Sequence, residues 1–167
     1  MITITSNTDA DFKIIRTLAE IVWPVTYGTI LSKEQLDFMF DMMYSVGSLK
    51  EQASNKKHHF IIAYEDKLPV GFASYEFNCE QSGKTKVHKI YILPNLQGKG
   101  IGRTLIEYIS EEALKNENNA IYLNVNRFNS AKFFYEKIGF SIIKEEDIDI
   151  GNGYLMEDYV MEKSLLK

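Results

Sequence analysis

The sequence has a single cysteine, Cys79, among its 167 residues. One cysteine excludes an internal disulfide and any cysteine-rich metal site. The chain also lacks an apolar run of the ~18 residues or more that a membrane-spanning helix requires. Its first six residues, Met-Ile-Thr-Ile-Thr-Ser, lack the basic and apolar regions of a signal peptide. The sequence therefore predicts a cytoplasmic protein with no membrane partner.

An excess of basic charge is absent as well. The chain carries 19 Lys and Arg against 23 Asp and Glu, which gives a net charge of −4 at pH 7. Proteins that grip a phosphate backbone usually present a basic surface, so no nucleic-acid partner is predicted. No linker, internal repeat or low-complexity segment divides the chain. We expect one domain over residues 1–167.

Hydrophobic periodicity predicts an α/β (α+β) domain with elements in the order β-α-α-(α)-β-β-β-α-β-α-β-β. This order gives a mixed, mostly antiparallel central sheet of about seven strands with about four helices. Thr8 and Asp11 resemble a capping box at the start of the first helix. We expect this helix to end at Trp23, because Pro24 disfavours helical dihedrals in the residue before it.

Later boundaries follow from similar signals. Ser48 and Glu51 have the spacing of a capping box and predict the start of a short helix. An extended segment is predicted over residues 85–92. An amphipathic helix is predicted over about residues 100–116, with Leu105, Ile106, Ile109 and Ala113 facing inward. The acidic segment 145–153 is predicted to form the turn between the last two strands.

Three glycines follow the predicted strand, in the segment Gln97-Gly98-Lys99-Gly100-Ile101-Gly102. Glycine lets the backbone adopt positive φ and approach a ligand closely. The first amides of the helix after it attract an anion. The segment therefore predicts a pyrophosphate site, with a flexible turn as the alternative. Its spacing fits neither a Walker A loop nor a Rossmann fingerprint.

Two blocks of sequence resemble a known family. The run Ile90-Tyr91-Ile-Leu-Pro-Asn-Leu-Gln97-Gly-Lys-Gly100-Ile-Gly102 looks like the acetyl-coenzyme A signature Gln/Arg-x-x-Gly-x-Gly/Ala of the GNAT superfamily of N-acetyltransferases. The later run Asn129-Ser-Ala-Lys-Phe-Phe-Tyr135-Glu-Lys-Ile-Gly-Phe140 is similar to the second motif of that superfamily. The blocks lie in the family order, one helix and one strand apart. The resemblance covers essentially the whole chain and implies a GNAT-like domain.

The resemblance implies acetyl-CoA as the co-substrate. The backbone of Ile90, Tyr91 and Ile92 would bond the pantetheine arm as an added strand does. Asn129 would hydrogen-bond the pantetheine, and Tyr135 would lie beside the sulfur. The other matching positions are those that bind the pyrophosphate, namely Gln97, Gly98, Lys99, Gly100, Ile101, Gly102 and Arg103.

Transfer of acetyl to an amine needs a base, an oxyanion donor and an acid for the leaving thiolate. The resemblance implies the Ile92 amide as the oxyanion donor and Tyr135 as the acid, with core packing of Tyr135 as the alternative. Asn124 occupies the position where some family members carry a glutamate base. Histidine titrates near neutrality, so His88 is a candidate base through water, with a satisfied or exposed histidine of no catalytic role as the alternative. Glu76 is a poorer candidate.

The acceptor region is predicted less directly. In this fold Trp23 and Tyr27 would form an apolar substrate wall, with core packing as the alternative. Acidic residues near the final hairpin would attract a cationic amine, with a solvated surface as the alternative. These residues are Glu145, Glu146, Asp147, Asp149, Glu157 and Asp158. The Trp-Pro-x-Thr-Tyr segment and the Gly-Phe-Ser-x-Ile-Lys segment are similar to the bacterial spermine/spermidine (PaiA-type) branch.

The sequence thus predicts direct transfer of acetyl from acetyl-CoA to a primary amine, such as a polyamine or another small cationic amine. Cys79 has no adjacent base, so an acetyl-enzyme intermediate is not expected. Two alternatives stay open: an acetyltransferase for protein N-termini or lysines, and a non-catalytic CoA-binding sensor or scaffold. No metal is predicted, because His58-His59 has no third ligand in view. Homodimers are frequent in the family, which suggests a homodimer here.

Overall fold

The computed structural model describes residues 1–6 and 11–166. These residues contain one seven-stranded sheet in the order β1-β2-β3-β4-β5-β7-β6. The elements are β1 (Ile2–Ser6), α1 (Phe12–Tyr27), α2 (Lys33–Tyr44), α3 (Val46–Ser54), β2 (His59–Glu65), β3 (Leu68–Glu76), β4 (Thr85–Ile92), α4 (Ile101–Lys115), β5 (Ala120–Asn126), α5 (Ala131–Lys137), β6 (Ser141–Gly151) and β7 (Tyr154–Ser164). The ladder of β4 with β5 is parallel, whereas β1 with β2, β2 with β3, β5 with β7 and β6 with β7 are antiparallel. The predicted α/β class and mixed sheet are confirmed, and the optional third helix is present.

The described residues divide into two compact units. One contains Met1–Glu76 and His88–Tyr108, and the other contains Phe77–Val87 and Ile109–Lys167. Both units have apolar cores. The predicted inward face of α4 is confirmed, because the residues Leu105, Ile106, Ile109 and Ala113 are all buried. No helix in the described part of the chain is long and apolar enough to cross a membrane.

Helix α1 continues past Pro24 to Tyr27, so the prediction that it ends at Trp23 is wrong. Proline has no N–H and removes one helical hydrogen bond. Pro24 and Glu20 are both exposed, so the freed carbonyl of Glu20 lies on the solvent side, where water can satisfy it. Val22 and Trp23 are buried on the other side and hold this turn of the helix against the core.

Serine side chains begin the next two helices. The Ser32 hydroxyl accepts the Gln35 amide at 3.1 Å and caps α2. Helix α3 begins directly after Ser45, whose hydroxyl accepts the Ser48 amide at 3.1 Å. The predicted start at Ser48 is therefore one turn too late, because Ser48 is the donor and not the cap. The predicted capping box of α1 depends on Thr8, which lies outside the described residues.

The hairpin of β6 and β7 is longer than predicted. Residues predicted as an acidic turn form most of β6, and the turn consists of Asn152 and Gly153. The prediction of a turn was wrong. Asp147 lies opposite Glu157 in the ladder, and like charges disfavour such a pairing, which is why the sequence does not indicate a strand here. Arg127 bonds Asp147 and lies 3.8 Å from Glu157, so it relieves the repulsion.

Candidate functional site

The glycine loop (residues 97–102) connects β4 to α4 in the first unit. Gly98 has φ of +83° and Gly100 has φ of +85°, and a Cβ at either position would meet nothing within 4 Å. These glycines are thus required by the backbone conformation and not by crowding, since L-residues rarely adopt such φ values. The open space beside both glycines is the kind of space into which a ligand fits.

The N-terminus of α4 adds positive charge to this loop. The Thr104 amide donates to the Gly100 carbonyl at 3.0 Å. The amides of residues 101–103 precede this bond, so they lie in the first turn and have no acceptor within the helix. The side chains of Lys99 and Arg103 are exposed beside them. Exposed cations and helix N-terminal amides fit a pyrophosphate.

The end of β4 is held in place by close backbone contacts. A Cβ at Gly71 of β3 would lie 2.8 Å from the Tyr91 carbonyl oxygen and 2.9 Å from Ile92 Cδ1. Gly71 therefore allows β3 to approach the two residues predicted to bond the pantetheine. The Gln97 side chain donates to the Ile92 carbonyl at 3.4 Å, which connects the loop to the strand. Sequence reasoning missed Gly71, because a lone glycine within a strand gives no sign of which neighbour it accommodates.

The two predicted substrate residues differ in exposure. Trp23 is 2% exposed, and its indole N–H donates to the Tyr44 hydroxyl at 3.1 Å. Burial raises the pKa of Tyr44 well above its usual value, so this hydroxyl stays neutral. Trp23 thus has the core-packing role that the sequence left open. Tyr27 is half-buried, and its hydroxyl lies 2.9 Å from the Tyr91 hydroxyl.

His88 lies beside two groups that the sequence did not connect with each other. Its Nε2 is 3.0 Å from Glu76 Oε1, and the His58 Nε2 is 3.5 Å from the same oxygen. The structure thus brings the two predicted base candidates into direct contact. His59, the residue after His58, begins β2 as a strand residue.

Lys89, the next residue of β4, is buried. Its ammonium donates to Gln52 Oε1 and lies 5.6 Å from the ring centroid of Tyr44. Burial foremost, then the charge of Lys56, lowers its pKa to about 7. No sequence signal predicted this lysine, because its partners come from distant helices.

In the second unit, Asn124 lies between two carboxylates. Its side-chain amide donates to Glu146 at 3.2 Å and to Asp158 at 3.3 Å. Asp158 is 2% exposed, and burial, as the largest cause, raises its pKa. The position that lacks the family glutamate therefore has acidic neighbours from other strands. Only the folded sheet brings them to Asn124.

The second motif forms the start and body of α5 in the same unit. The Asn129 side-chain oxygen accepts the Ala131 amide at 2.9 Å and so shapes the start of the helix. Tyr135 is 7% exposed, and its ring lies edge-on to Phe140 with centroids 5.6 Å apart. The pantetheine and acid roles of Asn129 and Tyr135 stay predictions.

A strand, a glycine loop and a helix N-terminus in a mixed seven-stranded sheet form a site that fits the pyrophosphate of a cofactor. Residues 30–163 match the family model described as acetyltransferase (GNAT) domain, and the chain belongs to this family. It is 29% identical over 151 residues to spermidine N(1)-acetyltransferase of Thermoplasma acidophilum, covering 86% of this chain and 89% of that protein. The crystal structure of the PaiA N-acetyltransferase of the same organism in complex with coenzyme A has a TM-score of 0.81 at 28% identity, covering 98% and 99% of the two chains.

A second relative has a different acceptor. The [ribosomal protein bS18]-alanine N-acetyltransferase of Haemophilus influenzae is 28% identical over 111 residues, covering 66% of this chain and 70% of that protein. The predicted resemblance to GNAT enzymes is thus confirmed. The protein is an N-acetyltransferase that uses acetyl-CoA, and the comparisons indicate no metal for the transfer.

Proposed function

We propose that the protein transfers acetyl directly from acetyl-CoA to a primary amine of a small polycation of the spermidine type. The main support for this proposal is the similarity to spermidine N(1)-acetyltransferase, which extends over 86% of this chain. The glycine loop supports the donor half of the proposal, and the charge of the final hairpin supports the acceptor half.

The donor side rests on the glycine loop and the end of β4. The amides of residues 97–103 hold the pyrophosphate, while Lys99 and Arg103 add charge. The backbone of residues 90–92 bonds the pantetheine as an added strand would. The Ile92 amide donates to the oxyanion that forms on the thioester carbonyl, a contribution of about 2.7–4 kcal/mol for one donor of this kind.

The reaction moves one acetyl group and removes two protons from the ammonium nitrogen, one to the base and solvent before attack and one after the C–N bond forms, which balances the proton that the thiolate takes up. An alkylamine with a pKa of about 10.4 is mostly charged at pH 7, and removing its proton costs roughly 4 kcal/mol. The free amine attacks the carbonyl carbon, the C–N bond forms and the C–S bond breaks. The leaving thiolate takes a proton, for which the Tyr135 hydroxyl is the predicted donor. His88 stays a prediction as the base.

The charge of the β6–β7 hairpin favours a polycation. Seven carboxyl groups lie on these strands, and ion pairs with Lys84, Arg127 and Lys144 offset part of their charge. Arg127 contacts Glu145 at 3.1 Å, and Lys144 contacts Glu146 at 2.6 Å. The remaining negative charge raises the local concentration of a cationic amine.

The test is an acceptor panel that measures thiol release from acetyl-CoA. Spermidine and spermine are compared with a monoamine of similar length and with a short peptide that begins with alanine. We expect kcat/KM for spermidine to exceed that for the peptide by about tenfold or more, which corresponds to about 1.4 kcal/mol. The monoamine should be the poorer small amine, since it carries one charge.

A second candidate acceptor is the N-terminal amine of a protein. The alanine N-acetyltransferase likeness favours it, although that likeness covers 66% of this chain. A peptide preferred over spermidine would support this candidate and contradict our proposal. Tight binding of coenzyme A without turnover on any amine would instead indicate a sensor.

The role of Tyr135 has its own test. Tyr135→Phe removes the hydroxyl and keeps the ring that packs against Phe140. We expect kcat to fall by about 100-fold with unchanged affinity for acetyl-CoA, since general acid catalysis typically contributes that much. Tyr159→Phe on β7 is the matched control. Equal kcat in both variants would remove Tyr135 from the mechanism.

A further inference from the structure

Three side chains of the first unit form a cluster that the sequence did not indicate. His58, Glu76 and His88 each place one possible ligand atom within 4.8 Å of the others. The His88 Nε2 is 3.0 Å from Glu76 Oε1, and the His58 Nε2 is 3.5 Å from it. The sequence shows no third metal ligand beside the pair His58-His59. Folding places two further possible ligands, Glu76 of β3 and His88 of β4, next to His58.

The sheet register explains why His58 contributes and His59 does not. His59 is opposite Tyr75 in the ladder, and their rings stack with centroids 5.4 Å apart. Successive side chains of a strand alternate between faces, so the adjacent residues His58 and Glu76 point to the other face. Strands β2, β3 and β4 are neighbours in the sheet. Glu76 and His88 are thus held on strands of one sheet, and His58 directly precedes β2, where its backbone N–H donates to the Gln52 carbonyl at 2.8 Å. These constraints favour a preorganised site.

We propose that His58, Glu76 and His88 bind a divalent transition-metal ion of the Zn²⁺ class. Two imidazoles and one carboxylate form a known three-ligand zinc set that leaves a fourth position for water. With metal–ligand bonds of about 2.0–2.1 Å, ligand atoms of a tetrahedral site lie about 3.3 Å apart. The observed separations of 3.0 and 3.5 Å bracket this value. Imidazole ligands select zinc, copper or nickel over magnesium and calcium.

The surroundings of the cluster suit an ion that enters from solution. The side chains of His58, Glu76 and His88 are 9%, 24% and 18% exposed, so the ligands are partly buried but still accessible to solvent. The two imidazole rings stack with centroids 3.8 Å apart and an angle of 14°, and each Nε2 lies within 3.5 Å of the same carboxylate oxygen. Because the lone pair of an imidazole nitrogen lies in the ring plane, one ring must rotate before both nitrogens bind one ion. One bound cation would satisfy both nitrogen lone pairs and the carboxylate charge together.

When an ion is bound, the His88 Nε2 is a metal ligand and not a base, so the ion is not proposed as a reagent of acetyl transfer and its binding is measured without acetyl-CoA. The full chain, stripped of metal with a chelator, is titrated with Zn²⁺ by calorimetry and with Co²⁺ by visible absorption. We expect about one ion per chain, the absorption bands of four-coordinate Co²⁺, and a rise in Tm with Zn²⁺. His88→Gln and Glu76→Gln should each lower the Zn²⁺ affinity by at least about tenfold, since even outer-shell losses cost that much.

His59→Gln is the matched control, because it removes the neighbouring histidine on the opposite face. It should bind Zn²⁺ as the native chain does. Absence of binding at millimolar Zn²⁺, or an equal loss in His59→Gln and His88→Gln, overturns the proposal. Circular dichroism verifies that each variant folds. Glu76→Gln keeps the size of the side chain and one acceptor oxygen while it removes the charge, so it decides the question if His88→Gln is unfolded.

Discussion

Strand β4 and the glycine loop are neighbours in the chain, and they are built in opposite ways. In the loop the backbone determines the site: Gly98 and Gly100 take positive φ, and the side chains of Gln97 and Lys99 are exposed. In β4 the side chains determine the site: Lys89 is 8% exposed among aromatic rings, and His88 contacts Glu76. The loop depends on conformations that few residues adopt, whereas the strand depends on partners from distant parts of the chain.

The largest expected effect is on the pH dependence of the unfolding free energy, and it comes from the buried Lys89 of β4. The folded pKa of Lys89 is about 7, well below the usual value of 10.5. Between these values the unfolded chain binds the proton and the folded chain does not, so stability rises with pH across this window. Lys89→Met should abolish this rise, which amounts to about 1.4 kcal/mol per pH unit. Urea unfolding from pH 7 to 10 measures it.

The control for this prediction is Lys86→Met. Lys86 lies on the same strand and is half-buried, with its ammonium 5.9 Å from the ring centroid of Tyr122. The unfolding free energy of Lys86→Met should change with pH as that of the native chain does. If the native chain and Lys89→Met keep a constant difference in stability from pH 7 to 10, Lys89 does not titrate in this window and the burial argument is wrong.

The contrast between loop and strand also explains what the sequence could predict. The glycine loop, the limits of β4 and the inward face of α4 depend on local pattern, and the structure agrees with them. The contact of Lys89 with Gln52 joins residues 37 positions apart, and the contact of Arg127 with Asp147 joins residues 20 apart. Periodicity contains no information about such pairs, because it reports which face a residue occupies and not what lies opposite.

Errors at element ends have the same origin. The sequence predicted a stop at Pro24 from local propensity, but the buried Trp23 and Val22 hold α1 in place beyond it. Acidic residues 145–153 suggested a turn, yet Arg127 compensates their charge within a strand pair. In both cases a tertiary contact outweighed a local preference of about 1–3 kcal/mol.

The next largest effect is expected on the affinity for acetyl-CoA, and it tests the role of the loop backbone. Gly100→Ala places a side chain at φ of +85°, which costs about 1–2 kcal/mol for an L-residue, and it also fills space beside the predicted pyrophosphate. We expect the affinity for acetyl-CoA to fall by at least about tenfold. Isothermal titration with coenzyme A measures this loss.

Gly47→Ala in α3 is the control for the loop variant. A Cβ there also meets nothing within 4 Å, but Gly47 lies in a helix and its φ is not positive. Alanine is the better helix former, so this variant should bind coenzyme A normally and unfold at a slightly higher temperature. Normal coenzyme A binding by Gly100→Ala would mean that the loop tolerates a side chain and does not bind the pyrophosphate closely.

The smallest effect concerns the exposed cation of the loop. Lys99→Gln removes one charge near the N-terminus of α4, where a cation assists the amides in binding an anion. Because Lys99 is exposed, we expect only a two- to fivefold loss of coenzyme A affinity, equal to about 0.4–1 kcal/mol. The loss should shrink as salt rises, since exposed charges are screened. Lys115→Gln, at the opposite end of the same helix, should leave the coenzyme A affinity unchanged. A loss as large as that of Gly100→Ala would contradict the division between backbone and side chains, because the lysine would then contribute as much as the loop conformation.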